Sequence, residues 1–387
     1  MLKLLARLFL KEKANLPETE LRRRYGVLCG AYGVFLNLLL GAAKLFVGMR
    51  SGSISISADA VNNLSDASSS IVTLLGFWVA GKKPDADHPF GHGRSEYVAG
   101  LIVSMAIVVM GIELLLSSVE KIFNPKPTEF SLLALLVLLA SILVKLYMML
   151  YNRSAAKRFS SAALQATAAD SLSDCIATSV VLLCMLLAHF ANLNLDAYAG
   201  TLVAGFILYT GIHTARDIIS RILGNPPDPD LVSKIEKLVL QSEIIVGLHD
   251  MIVHDYGPGN IIVSLHAEVP VDGDLLMIHE EIDRVELQIR RELGCTAILH
   301  IDPIATKDEN VLRIKRLVAE KMTALSPEVT IHDFRISPGP EQSNLIFDVV
   351  VPFSLDLTDD QVQEYAEGLA KELNPCFHTI VEVDRPF

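Results

Sequence analysis

The hydrophobic pattern divides this chain near residue 225. Before that point apolar residues run in stretches of twenty or more, separated by short polar loops. After it they alternate with polar residues or recur at helical spacing. A helix needs about 20 apolar residues to cross the hydrocarbon core of a bilayer, and six such stretches can be drawn, near residues 27–49, 54–80, 97–118, 130–151, 163–190 and 197–219. Ahead of them Lys3, Arg7, Lys11, Lys13 and the run Arg22, Arg23, Arg24, with Pro17 among them, predict a short amphipathic lead rather than a cleavable signal. From Pro226 the shorter periods predict helix, strand, strand, helix and strand at 228–241, 247–256, 260–269, 274–293 and 296–302. The same order recurs at 308–325, 330–337, 344–351, 358–373 and 377–384. Matching positions lie 82 or 83 residues apart (Asp250 with Asp333, Gly257-Pro258 with Gly339-Pro340, Asp302 with Asp384), so two tandem αββαβ units are expected.

Composition sharpens this division. The chain of 387 residues is 51% hydrophobic and 20% charged, too apolar for an average soluble protein. Residues 1–225 hold 20 Lys and Arg against 15 Asp and Glu, whereas residues 226–387 hold 13 against 30. A basic apolar half followed by an acidic polar one reads as a membrane domain with a soluble tail. Six spans put both ends of the chain on one side. Thirteen basic residues fall in the N-terminal segment and two loops of that side, against Arg50, Lys121 and Lys126 opposite. The expectation is a multi-pass protein of the cell (cytoplasmic) membrane with both termini cytoplasmic. The organisation expected is a cytoplasmic segment 1–25, a six-helix membrane domain 26–224, and cytoplasmic α+β units at 225–306 and 307–387. The acidic tail argues against nucleic acid. The five cysteines show no CxxC spacing and predict neither a disulfide framework nor a thiolate zinc site.

Carboxylates inside an apolar span are costly and usually face a bundle interior or a water-filled path. The second span reads SADAVNNLSDASSS and the fifth ATAADSLSDC. Asn62 and Asp66, like Asp170 and Asp174, are four apart, so each pair lies on one helix face. Facing each other, they would offer a carboxamide oxygen and three carboxylates, a hard cation site. The competing reading is polar packing between membrane helices, which is the stronger one for Asn62 alone but not for three aspartates. Asp59, seven residues before Asp66, is a helper or a cap. Lys44 and Lys145 sit well inside spans and are expected to snorkel rather than to pair with a carboxylate.

These motifs, in this order, resemble the cation diffusion facilitator family over about residues 25–306, and specifically its bacterial manganese-exporting branch. The resemblance implies six transmembrane helices, a ferredoxin-like cytoplasmic domain, a homodimer formed through that domain, and a transport site at Asn62, Asp66, Asp170 and Asp174. Zinc-type members carry histidine at the position of Asp170. Its absence here favours manganese, which suits carboxylate and carbonyl ligands, with iron(II) second and zinc or cadmium behind.

The loop KKPDADHPFGHGRSE holds Asp85, His88 and His92, either a ligand set or a turn. The resemblance matches it to a secondary metal site of zinc-type relatives. Arg94 and Glu96 are expected to orient the third span. In the tail, alternation places His266 with Glu268 on one strand face and His300 with Asp302 on another. The resemblance implies that His249, His266, His279, His300 and Asp302 form a regulatory metal site; the other reading is a set of exposed residues. The second unit has Asp348, Gln361 and Glu382 where the first has His266, His279 and His300, so any metal site there would be weak and hard, and packing or dimer spacing is the expected role. Overall the sequence predicts no enzyme and no resident cofactor, but a divalent-cation exporter, most readily for Mn2+, driven by proton antiport through alternating access. Its partners would be divalent cations, protons and the lipid bilayer. A membrane-bound metal sensor is the main alternative.

Overall fold

A computed structural model describes residues 18–51, 54–124, 131–191, 193, 195–338 and 343–385. The expected lead at residues 1–17 lies outside the described residues, and so does the side chain of Asp59. The chain divides into two compact units, one of residues 1–225 with 256–259 and one of residues 226–255 with 260–387.

The first unit is built from six long helices: α1 (Glu18–Ser51), α2 (Ile54–Ala80), α3 (Ser95–Phe123), α4 (Leu132–Phe159), α5 (Ala162–Ala191) and α6 (Asp196–Leu223). They pack most extensively as the pairs α1 with α2, α3 with α6 and α4 with α5. The α3–α6 contact is a small-residue seam of the kind that lets membrane helices approach closely. A Cβ on Gly211 would lie 2.8 Å from the Val108 side chain and 3.1 Å from its backbone nitrogen. Outward faces carry large exposed apolar side chains, among them Phe35, Leu116, Leu143 and Leu202. The run Arg22–Arg24 belongs to α1, not to a separate lead. Arg22 reaches Glu96 at the start of α3 with its Nη2 2.8 Å from Oε1, and Ser161 Oγ donates to the same carboxylate at 2.6 Å. Glu96 thus ties the start of α3 to α1 and to the turn between α4 and α5.

Among the described residues, four helical stretches are long and apolar enough to cross a membrane: 20–47 in α1, and α3, α4 and α5. The remaining two of the expected six are long enough but more polar. On α2 the buried side chains include Asn63, Asp66, Ser70 and Thr73, and α6 interrupts its apolar residues with three glycines, two tyrosines and His213. On α2 this polarity is directed into the bundle, whereas Tyr198, Tyr209 and His213 on α6 are exposed.

The second unit runs α7 (Pro229–Val239), β1 (Gly247–Asp255), β2 (Ile261–Pro270), α8 (Leu275–Leu293), β3 (Thr296–Ile304), α9 (Glu309–Met322), β4 (Thr330–Pro338), β5 (Ser343–Val350), α10 (Asp359–Leu373) and β6 (Phe377–Asp384). The helix starts follow capping chemistry. Asp228, Asp274 and Asp308 side chains accept from the first backbone amides of α7, α8 and α9, and Thr358 with Gln361 forms a capping box on α10. The strands form two three-stranded sheets ordered β1-β2-β3 and β4-β5-β6, each with an antiparallel then a parallel pair. Each sheet has its own core, around Val263, Leu265 and Ile289 in one and Phe334, Phe347 and Val362 in the other. Register slips after His249 on β1 and again after His332 on β4. The residues that follow, Asp250 and Asp333, take left-handed φ values of 49° and 48°, a region that aspartate tolerates better than most.

Candidate metal centres

Within the helical unit, Asp66 on α2 and both Asp170 and Asp174 on α5 are buried, with 6–7% of their surface exposed. Lys145 on α4 lies between two of them, its Nζ 2.6 Å from Asp66 and 2.6 Å from Asp174. Lys44 on α1 donates to Asn63 Oδ1 at 2.5 Å and is equally buried. The snorkelling expected of both lysines is therefore corrected. Each points inward because an ammonium buried against carboxylate or carboxamide oxygens avoids the cost of an unpaired buried charge. A cavity of about 330 Å³ opens onto this cluster, lined by Lys44, Asn62, Asn63, Asp66, Lys145 and Asp174 among others. Asn62 is exposed to it, one turn before Asp66. Asp170 is not among the cavity-lining residues. Asn63 and Lys145 were not among the expected site residues. The sequence signal for Lys145 was its position in mid-span, where a cation needs a partner.

In the loop after α2, the expected trio comes together. His88 Nδ1 and His92 Nε2 each lie 3.4 Å from an Asp85 carboxylate oxygen, and the rings are 4.5 Å apart. Asp85 is held below the usual carboxylate range by the backbone N–H of His88 first, and by the two imidazoles after it.

In the second unit, sheet register aligns His249, His266 and His300 across β1, β2 and β3. Asp302 sits among them. Its Oδ2 lies 2.8 Å from His266 Nδ1 and 3.2 Å from His249 Nε2, and its Oδ1 3.5 Å from His300 Nε2. His279 stands apart on α8, exposed and nearest Asp283 at 3.9 Å. Burial disfavours a charge on His249, but the hydrogen bond to Asp250 and the nearby Asp302 and Glu268 outweigh it and hold the imidazole above its ordinary pKa.

A further group was not expected. His332 on β4 stacks 4.2 Å from the His249 ring, with its Nε2 3.0 Å from Asp384 and 3.6 Å from Asp250, and its Nδ1 3.8 Å from Asp348. Burial, then the surrounding carboxylates, push Asp348 up to about 7 and Asp384 up to about 6. Burial and the neighbouring His249 hold His332 below its ordinary value. The signal available in the sequence was the 83-residue offset that pairs His332 with His249.

Comparison with known proteins decides the class. Residues 31–223 match the cation efflux transmembrane domain and residues 227–304 the cytoplasmic domain of cation efflux proteins. An uncharacterized transporter of Methanocaldococcus jannaschii is 31% identical over 69% of this chain and 94% of its own length. This chain belongs to the cation efflux family. It is accordingly a multi-pass membrane transporter, not an enzyme, and its resemblance to the manganese branch of the cation diffusion facilitators holds. The manganese efflux system protein MneS of Bacillus subtilis is 28% identical over 70% of the chain and 93% of its own length. The cation-efflux pump FieF of Pectobacterium carotovorum is 27% identical over 70% and 91%.

Proposed function

We propose that this efflux protein exports divalent manganese across the cell membrane in exchange for protons, by alternating access of a site formed by Asn62, Asp66, Asp170 and Asp174. The observation that carries the reading is the donor set. Buried Asp66 and Asp174 and the Asn62 carboxamide line one cavity, buried Asp170 lies one turn before Asp174 on the same helix, and among the described residues no histidine lines the cavity. Carboxylate and carbonyl oxygens suit manganese, whereas imidazole would favour zinc. The manganese efflux proteins among the relatives support the same choice. Clustered carboxylates repel one another and are neutralised either by a cation or by protons, so the two ligands compete and their exchange can be coupled. In this scheme α1 to α6 all span the bilayer, the termini and the tail are cytoplasmic, and the tail joins two copies of the chain as a homodimer.

Uptake of Mn2+ into inverted vesicles under a proton gradient tests the site. Asp66→Ala or Asp174→Ala abolishes uptake; wild-type rates in both variants would remove these residues from the pathway. Asp170→His tests the metal. It raises zinc transport relative to manganese, and an unaltered ratio across a metal panel would defeat the argument from ligand hardness.

A further inference from the structure

The second αββαβ unit carries residues that neither the cation efflux match, which ends at residue 304, nor the expected packing role accounts for. Asp250, His332, Asp348 and Asp384 each offer one ligand atom within 4.8 Å of all the others, and His249, Asp250 and His332 do the same. First-row ions bind nitrogen and oxygen at about 2.0–2.2 Å, so the ligands of a single ion lie at most roughly 4.4 Å apart. The four side chains therefore sit close enough to converge on one ion by rotating inward.

The polar atoms here are also poorly served by protein partners. His249 Nε2, His332 Nδ1, Asp333 Oδ1 and Asp384 Oδ2 are buried without a hydrogen bond of acceptable geometry. Of these atoms His332 Nδ1 and Asp384 Oδ2 belong to the four-residue group, while His249, its side chain more than nine-tenths buried, stacks on His332 from the adjoining cluster. Buried polar groups are normally satisfied, and unsatisfied ones call for an explanation such as a bound ion. The backbone supports the same arrangement. The left-handed turn at Asp250 follows His249 on β1 and directs its carboxylate to 3.6 Å from His332 on β4, so one strand of the first sheet serves both groups.

We propose that Asp250 of the first αββαβ unit, with His332, Asp348 and Asp384 of the second, binds a divalent first-row cation beside the His249, His266 and Asp302 cluster. Three carboxylates and one imidazole make this the harder of the two ligand sets, suited to manganese(II) or iron(II) over zinc. The ion ties β1 to β4, β5 and β6, so occupancy fixes the two units of the tail against each other. Cation occupancy of the tail is thereby read by both units within a single chain.

The test is a Mn2+ titration of the full-length protein in detergent, with free Mn2+ followed by electron paramagnetic resonance. Asp348→Asn combined with Asp384→Asn binds one ion fewer than the wild type, or binds it at least ~10-fold more weakly, since loss of even an outer partner of a ligand costs 10- to 100-fold. Thermal unfolding in chelator confirms that the variant is folded. An unchanged count and affinity would overturn the proposal. So would diffraction from Mn2+-soaked crystals with no anomalous peak among the four side chains. Asp66→Ala lowers the count independently, so a failure here and a failure of the transport site give different results.

Discussion

Replacing Lys145 tests how the helical cluster balances its charge. Its ammonium lies 2.6 Å from both Asp66 and Asp174, where an arriving cation would have to displace it. Lys145→Met leaves the empty cluster with three buried carboxylates and, of the two lysines lining the cavity, only Lys44, which donates to Asn63. Removing one partner of a buried ion pair costs about 3–5 kcal/mol. A bound divalent ion supplies that compensation itself, so the penalty falls on the empty state alone. At 1.4 kcal/mol per tenfold, the lower bound of about 3 kcal/mol corresponds to binding tightened roughly 100-fold. Protons taken up by the carboxylates reduce this gain. The assay is isothermal titration of Mn2+ into solubilised wild type and variant, alongside vesicle uptake. The Kd and KM fall, and maximal uptake falls as well because release slows. A folded variant that binds Mn2+ no more tightly than wild type would refute the reasoning.

Two further outcomes concern packing and pH. Gly211→Leu forces α6 away from the Val108 backbone and lowers thermal stability by about 1–3 kcal/mol, whereas Gly205→Ala, on the same helix with open space around it, is neutral or stabilising; equal losses would show that the seam is not tight. In chelator, the contribution of Asp348 to stability falls as pH rises from about 4 to about 7, because its carboxyl is pushed up to about 7 in the folded chain and the folded state therefore holds more protons in that window than the unfolded one; Asp348→Asn removes this component, and identical pH profiles of unfolding for both proteins would contradict it.

The tail was legible because its signals are local. Asp228, Asp274, Asp308 and Thr358 mark helix starts in the string and cap the helices in space. Alternation on β1 to β3 placed His266, His300 and Asp302, and register then brought His249 into line with them. The three aspartates were legible because a charge in an apolar run is conspicuous. What stayed hidden depended on which helix faces which. Lys145 is separated from Asp66 by 79 residues, and no periodicity in either span reports that they meet. Asn62 and Asn63 are adjacent and both line the cavity, and only the rotation of α2 decides that Asn63 is buried against Lys44 while Asn62 is exposed. The His332 group combines one carboxylate from β1 with three side chains from another sheet. The repeat offset hinted at the correspondence, but a correspondence between units does not predict contact between them.

The two sheets of the tail keep separate interiors: the side chains clustered around Ile289 and those around Phe347 have no member in common. Opening one interior to solvent leaves the other intact. Backbone amides of β2 and β5, both central strands, can therefore exchange with solvent deuterium through independent openings, each with its own free energy. In chelator the tail is in this respect two cooperative bodies on one thread, joined through the contacts of Asp250 and His249 with His332.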